Sequence, residues 1–260
     1  MFYLCFLLHL FAPALRAQIV NIEDKRTRYD SAGYYGRVDL GGSLAKNNNT
    51  VVTLNGALRV DRIRGRNETL FLADYRLVQV SGANALNAGF GHLRHGYDLR
   101  AMGDVWRWES FAQLQYNEQL RLSSRMLLGS GIRRRLFDFG QEDGGKDRGR
   151  GYLGVLYMFE YDEFSSSELQ YTDHRLSSYL SLTYSPLEAL TLSNTTYYQP
   201  ILPDLNDPRV SVVATAVLRL TSKLAVTSNF SLTHDRRLGR DFPEVPETVY
   251  SWVNGLRYSF

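Results

Sequence analysis

Residues 51–61, VVTLNGALRVD, decide the fold of this chain. Val52, Leu54, Gly56, Leu58 and Val60 fall on one side of an extended backbone. Thr53, Asn55, Ala57, Arg59 and Asp61 fall on the other, because successive side chains of a strand point to opposite faces. The alternation returns at 210–220, where Val210, Val212, Ala214, Ala216, Leu218 and Leu220 share a face. It returns again at 224–232 and, more loosely, at 108–116, 124–132 and 176–184. Working outward from these segments gives about twelve strands: 34–45, 50–61, 69–80, 86–99, 106–116, 120–136, 151–162, 174–185, 190–200, 209–220, 223–234 and 248–260. Lengths near about ten residues suit tilted strands crossing a bilayer. The joins at 46–49, 117–119, 186–189 and 221–222 read as tight turns. Those at 140–149, 201–208 and 235–247 read as long polar loops.

A soluble antiparallel sandwich alternates too, with its apolar face inward. Three features favour the membrane. Many of the 17 tyrosines stand near strand ends, among them Tyr75, Tyr97, Tyr116, Tyr184, Tyr198, Tyr250 and Tyr258, where aromatic girdles meet headgroups. Charges recur within strands on the polar faces: Arg37, Asp39, Arg59, Asp74, Arg76, Arg94, Glu109, Arg125, Arg133, Glu160, Arg175, Arg219 and Arg257. In a barrel these point into a wet lumen and can pair across strands. The third feature is the last strand, which alternates Tyr250, Trp252, Asn254, Leu256, Tyr258 and Phe260 against Ser251, Val253, Gly255, Arg257 and Ser259. Gly255, Tyr258 and Phe260 look like the terminal signal that the barrel assembly machinery reads by strand addition. Val253 departs from that signal, which usually carries a polar residue there.

On Gly41-Gly42-Ser43 followed by Asn48-Asn49-Thr50, on Leu93-Arg94 with Tyr97, on Gly129 and Gly131, and on Leu256 to Phe260, the mature chain resembles the YdiY-like family of salt-induced outer membrane proteins, a domain of unknown function. Asn48 stands where that family has glycine. The resemblance implies a barrel in the outer membrane and supplies no catalytic residues.

The N-terminus agrees with export. Residues 2–15 are apolar except for His9 and Pro13, too short for a spanning helix and suited to the core of a signal peptide. Residues 1–17 are read as that signal peptide, with cleavage after Ala17 and Ala14 as second choice, although no Lys or Arg precedes the apolar run. Residues 18–33 form a periplasmic segment and 34–260 the barrel. The single cysteine, Cys5, lies within the signal, so the mature chain has neither a disulfide framework nor thiol chemistry. The net charge of +3 is too even for a nucleic-acid binder. Arg62, Arg64 and Arg66, and Arg133 to Arg135, read first as solvated strand ends, with phosphate or lipopolysaccharide contact as the sharper alternative.

Candidate chemistry is sparse. His92 and His95 lie three apart on a strand and diverge, so they cannot share a metal without a bulge. Asp162, Glu163, Glu168 and Asp173 surround one loop; Ca²⁺ binding is the sharp reading and a solvated loop the bland one. His234 beside Asp235, with Ser110, Ser178 and Ser228 on apolar faces, is all that a lipid hydrolase on the outer wall has to draw on. Gly129-Ser130-Gly131 lacks the strand–turn–helix setting of a nucleophile elbow.

The sequence therefore predicts an all-β fold, a single antiparallel transmembrane barrel of about twelve strands, which is no enzyme and needs no cofactor or metal. Its partners are outer-membrane lipid and the assembly machinery, not nucleic acid. An even strand count with Phe260 in the periplasm puts Tyr34 on the same side and 46–49 and 235–247 outside. Arg37, Arg59, Arg76, Arg125 and Arg219 are the lumen-facing candidates, crowding a narrow pore or a filled wall protein. A lipid hydrolase and a secreted ligand-binding sandwich are the rival functions.

Overall fold

The computed structural model describes residues 31–103, 105–139, 148–165, 169–202 and 204–258. The signal-peptide and cleavage readings, Glu168 and Phe260 lie outside them. Twelve strands follow one another: β1 (Gly33–Lys46), β2 (Thr50–Arg64), β3 (Asn67–Val80), β4 (Ala83–Asp98), β5 (Trp106–Asn117), β6 (Leu122–Phe139), β7 (Gly149–Phe164), β8 (Gln170–Leu187), β9 (Leu190–Ile201), β10 (Asp204–Arg219), β11 (Leu224–Asp235) and β12 (Thr248–Tyr258). A short helix, α1 (Arg236–Asp241), joins the last two. Each strand pairs antiparallel with its sequence neighbours in one sheet ordered β1 to β12.

Side-chain contacts between strands that are not neighbours show the sheet coiling into a barrel. The Tyr179 hydroxyl on β8 donates to Glu109 on β5 at 2.9 Å, and Arg209 on β10 donates to Glu160 on β7 at 2.7 Å. Among the described residues no backbone pairing joins β1 to β12, so these two strands flank the seam. The start of β1 and the end of β12, the termini of the barrel, share one end with the turns at Gly65–Arg66 and 188–189. The turns at 47–49 and 81–82, and α1, share the other.

Periodicity of two explains both faces. Outside, Leu40 is 83% exposed and Leu256 74%, with Leu93, Leu114, Leu128, Ile132 and Val155 also exposed between them. The seven tyrosines singled out in the sequence all stand on this outer face. Tyr97, Tyr184 and Tyr258 lie toward the end with the termini, and Tyr75, Tyr116, Tyr198 and Tyr250 toward the other. Tyr250 and Tyr258 are separated by about 26 Å along β12 at ~3.3 Å per residue, which at a tilt of about 40° is about 20 Å of height, on the scale of a barrel's apolar band of about 25 Å. Inside, charged and hydrogen-bonding side chains are buried together with apolar ones such as Leu70, Leu72, Leu156 and Met158.

Glycines make room for rings on paired strands. Gly154 lies directly opposite Tyr179, and a Cβ there would sit 2.1 Å from the ring. Gly129 serves Phe111 in the same way.

Two expectations are corrected. The segment 201–208 is no free loop: β10 begins at Asp204, and an irregularity between Asp204 and Pro208 takes up the extra residues. This is where a proline enters a strand without disturbing the regular ladder. The segment 235–247 holds a helix instead of a solvated loop. Asp235 caps it by accepting from the Leu238 amide at 3.2 Å.

Candidate functional site: the lumen and its cap

Inward positions of β6, β7, β8, β10 and β11 meet near the end remote from the termini. Glu160 is 0% exposed and stands among three guanidiniums. Arg125 Nε lies 2.9 Å and Arg209 Nη1 2.7 Å from Oε1, and Arg175 Nε lies 2.5 Å from Oε2. Each arginine has a second carboxylate: Arg125 donates to Asp162 at 2.7 Å, Arg175 to Asp173 at 3.1 Å, and Arg209 to Asp235 at 2.7 Å. Arg237, in α1, also donates to Asp173, at 2.7 Å. Four carboxylates thus face four guanidiniums. Burial of such charges costs several kcal/mol per ion unless each is matched, and here each is matched.

Above this network lies a small apolar cluster. Leu238, Phe242 and Val245 from the β11–β12 connection pack on Leu120, Leu122, Phe164 and Tyr171. The Phe164 and Phe242 ring centroids are 4.8 Å apart, and the Arg237 guanidinium carbon lies 3.5 Å from the centroid of the Tyr171 ring. The Tyr171 hydroxyl donates to Asp241. Burial pushes the Asp241 carboxyl up, but hydrogen bonds from Arg240 and Tyr171 and the charges of Arg240 and Arg237 outweigh it and hold the group below the ordinary carboxylate range. The connection therefore crosses from β11 to β6–β8 and caps one mouth of the barrel.

A second network lies deeper. Glu109, also 0% exposed, accepts from Arg94 at 3.3 Å and Tyr179, and Arg133 lies 3.7 Å away. The Arg94 guanidinium also lies over the rings of Phe111 and Tyr179. The opposite wall is different. Inward residues of β10 to β12 between Val213 and Gly255 are small and mostly uncharged, for example Thr215, Thr227, Asn229 and Ser251. Thr215 donates to Asn229 at 3.0 Å. The lumen is filled along one side and lined by short polar side chains along the other.

The five arginines named in the sequence all occupy inward positions, with unequal surroundings. Arg125 is buried in the main network. Arg59 pairs with Asp61 at 2.5 Å, and Arg37 with Asp39 at 2.7 Å near the seam, where it is largely exposed. Arg219 donates to the Glu188 carbonyl near the end with the termini, and Arg76 is half-buried on β3. Gly255 and Tyr258 lie on β12, facing inward and outward respectively.

His92 and His95 diverge. His92 is buried, bonds Gln113 at 2.9 Å and stacks on Phe111. His95 faces outward and bonds Thr69 at 3.0 Å. The solvated-loop reading of Asp162 and Asp173 is wrong: both are buried in the main network. The strand parity they share with Glu160 and Arg175 was the signal that points there. No group of three or more His, Cys, Asp or Glu among the described residues has the arrangement of a metal site. Asp235 faces inward onto Arg209, whereas His234 faces outward and bonds Thr248 at 2.8 Å, so the two do not form a hydrogen-bonded pair. Ser228 accepts from Trp252 at 2.9 Å.

Among solved structures, the chain is similar to a NanC porin at 12% identity, covering 86% of this chain and 99% of that one, with a TM-score of 0.45. It is also similar to OmpT, an outer membrane protein of Vibrio cholerae, at 10% identity, covering 86% and 95%, with a TM-score of 0.27. No curated protein matches it. A family model described as "Protein of unknown function, DUF481" matches residues 38–238, most of the chain, and the chain belongs to that family.

Proposed function

We propose that this chain is an integral outer-membrane barrel with a narrow, one-sided lumen: a wall component of the YdiY-like, salt-induced kind, at most a small pore, and not an enzyme. The observation that supports it best is the inversion of its two faces. Large apolar side chains cover the exposed outside between two rows of tyrosine, and the buried arginines of the two inner networks lie beside carboxylates. In water such an outer face would be a continuous apolar liability. Lipid also demands that edge amides be satisfied, so in the membrane β1 and β12 close the seam on one another. The end with the termini faces the periplasm, and the α1 cap faces outside. The outward Tyr258, with Phe260 beyond it, serves the assembly machinery.

Insertion into lipid vesicles, read as a folded band that shifts on heating, tests the membrane assignment. A monodisperse folded chain in detergent-free buffer overturns it. Planar-bilayer recording on the same sample tests the lumen. Small or absent currents are expected, and large, cation-selective currents overturn the filled-lumen reading. A phospholipase assay gives no turnover; turnover abolished by His234→Ala overturns the non-enzyme reading.

A further inference from the structure

On the outer wall, at the end with the termini, a concavity of about 580 Å³ opens around the two-residue turn between β2 and β3. Arg62, Arg64 and Arg66 line it with Asn67, Thr69 and Tyr97. The glycine of the turn, Gly65, has φ +60°, which a two-residue hairpin requires and other residues resist.

Charge is arranged differently here than inside the barrel. Inside, the buried guanidiniums have carboxylates beside them. Among the described residues Arg62, Arg64 and Arg66 have none. The acidic side chains on the strand ends around the turn point inward and are engaged: Asp61 holds Arg59, and Glu68 and Asp98 both hold Arg107. Among the described residues the concavity therefore presents three cations and no anion. The Arg62 guanidinium carbon lies 5.8 Å from the centroid of the Tyr34 ring. Toward the middle of the wall the same outer face continues as exposed Val60, Phe71 and Leu93. A cationic hollow bordered by aromatic rings and opening onto an apolar slope is complementary to a molecule with a negative head and hydrocarbon tails.

We propose that this concavity binds the phosphodiester headgroup of an anionic glycerophospholipid in the leaflet at the end with the termini, its acyl chains lying over Val60, Phe71 and Leu93. Arginine suits the task, since its planar fork donates to phosphate oxygens in pairs. The absence of a carboxylate in the lining gives no partner to the ammonium of a zwitterionic headgroup. The inference rests on the membrane assignment above and goes beyond it to a ligand class.

The test uses the full chain inserted into phosphatidylcholine vesicles doped with spin-labelled phosphatidylglycerol or spin-labelled phosphatidylcholine, and reads the immobilised lipid fraction. Wild type immobilises the anionic label preferentially. Arg62→Gln/Arg64→Gln/Arg66→Gln weakens that preference on the order of 100-fold, Arg64→Gln alone about fivefold, since each basic residue near a membrane surface contributes about that factor. Lys223→Gln, at the same end but outside the concavity, weakens it less than Arg64→Gln does, and an equal loss would overturn the site. Equal immobilisation by wild type and the triple variant overturns the site, as does displacement of the label by excess inorganic phosphate or by lipopolysaccharide. If the triple variant does not insert, Arg64→Gln decides: an unchanged preference overturns the proposal. Failure of wild type to insert overturns the membrane assignment itself, whereas an inserted wild type without anionic preference overturns only this site.

Discussion

Replacing Glu160 with glutamine keeps the shape of the side chain and deletes one charge from a site where none is exposed. Four carboxylates against four guanidiniums become three against four, leaving Arg125, Arg175 and Arg209 to repel one another around a neutral amide. Removing one partner of a buried ion pair costs about 3–5 kcal/mol, chiefly because the remaining charge stays desolvated and unmatched. That is a factor on the order of 10²–10³ in the folding equilibrium. Urea unfolding from lipid vesicles, followed by the fluorescence of the three tryptophans, measures it. The decisive comparison is the double variant Glu160→Gln/Arg175→Gln, which restores three against three. It is expected to be more stable than Glu160→Gln alone by at least about 1 kcal/mol, the coupling typical of contacting residues. Strictly additive losses would refute the claim that charge matching, and not packing alone, holds this part of the lumen.

Val212 lies on the outer wall of β10, between the rows marked by Tyr198 and Tyr184, so Val212→Arg is expected to cost about 2–4 kcal/mol, whereas inward Thr215→Arg costs less. Vesicle unfolding energies in the reverse order would mean the faces are exchanged. Phe242→Ala removes a buried ring from the cap at a cost of about 3–5 kcal/mol. Limited trypsinolysis should then cut at Arg237 or Arg240 far faster than in wild type, and equal rates would show that the ring does not hold the cap. Asp241 titrates below its unfolded value, so its contribution to cap docking is full above the unfolded pKa of about 3.9 and is lost as pH falls through the folded value. Hydrogen exchange across 236–247 should find the cap docked at about pH 5 and released only below about pH 4; release on going from about pH 7 to 5 would contradict this.

The strands were legible because lipid on one side and polar lumen on the other impose a period of two on every crossing. β5, β9 and β12 begin at the residues that alternation predicts, and β2 differs only by running on to Arg64. Polar residues within strands were readable as inward for the same reason. The cap was missed because its signal has another period. Leu238, Phe242 and Val245 are spaced four and three apart behind the capping residue Asp235, a helical pattern that a search for alternation passes over. The basic hollow at Arg62, Arg64 and Arg66 was visible as a cluster. Its lack of carboxylates was not, because the facing of Asp61, Glu68 and Asp98 depends on register.

The contact between Tyr171 and Asp241 joins positions 70 apart in a chain whose strands otherwise pair only with sequence neighbours. Hairpins can be added one at a time, each closing a short loop at small entropic cost. The cap cannot join that sequence early. Its apolar residues find Leu122 and Phe164 only after the six strands from β6 to β11 have curved far enough to bring β11 across from β6. The segment behaves as a latch on curvature. It is exposed to proteases and to misdirected hydrophobic contact while the wall is still flat, and it protects itself once the wall has rolled up. A chain arrested before that point should be recognisable by cleavage confined to this segment, at Arg237 or Arg240, with every strand already formed.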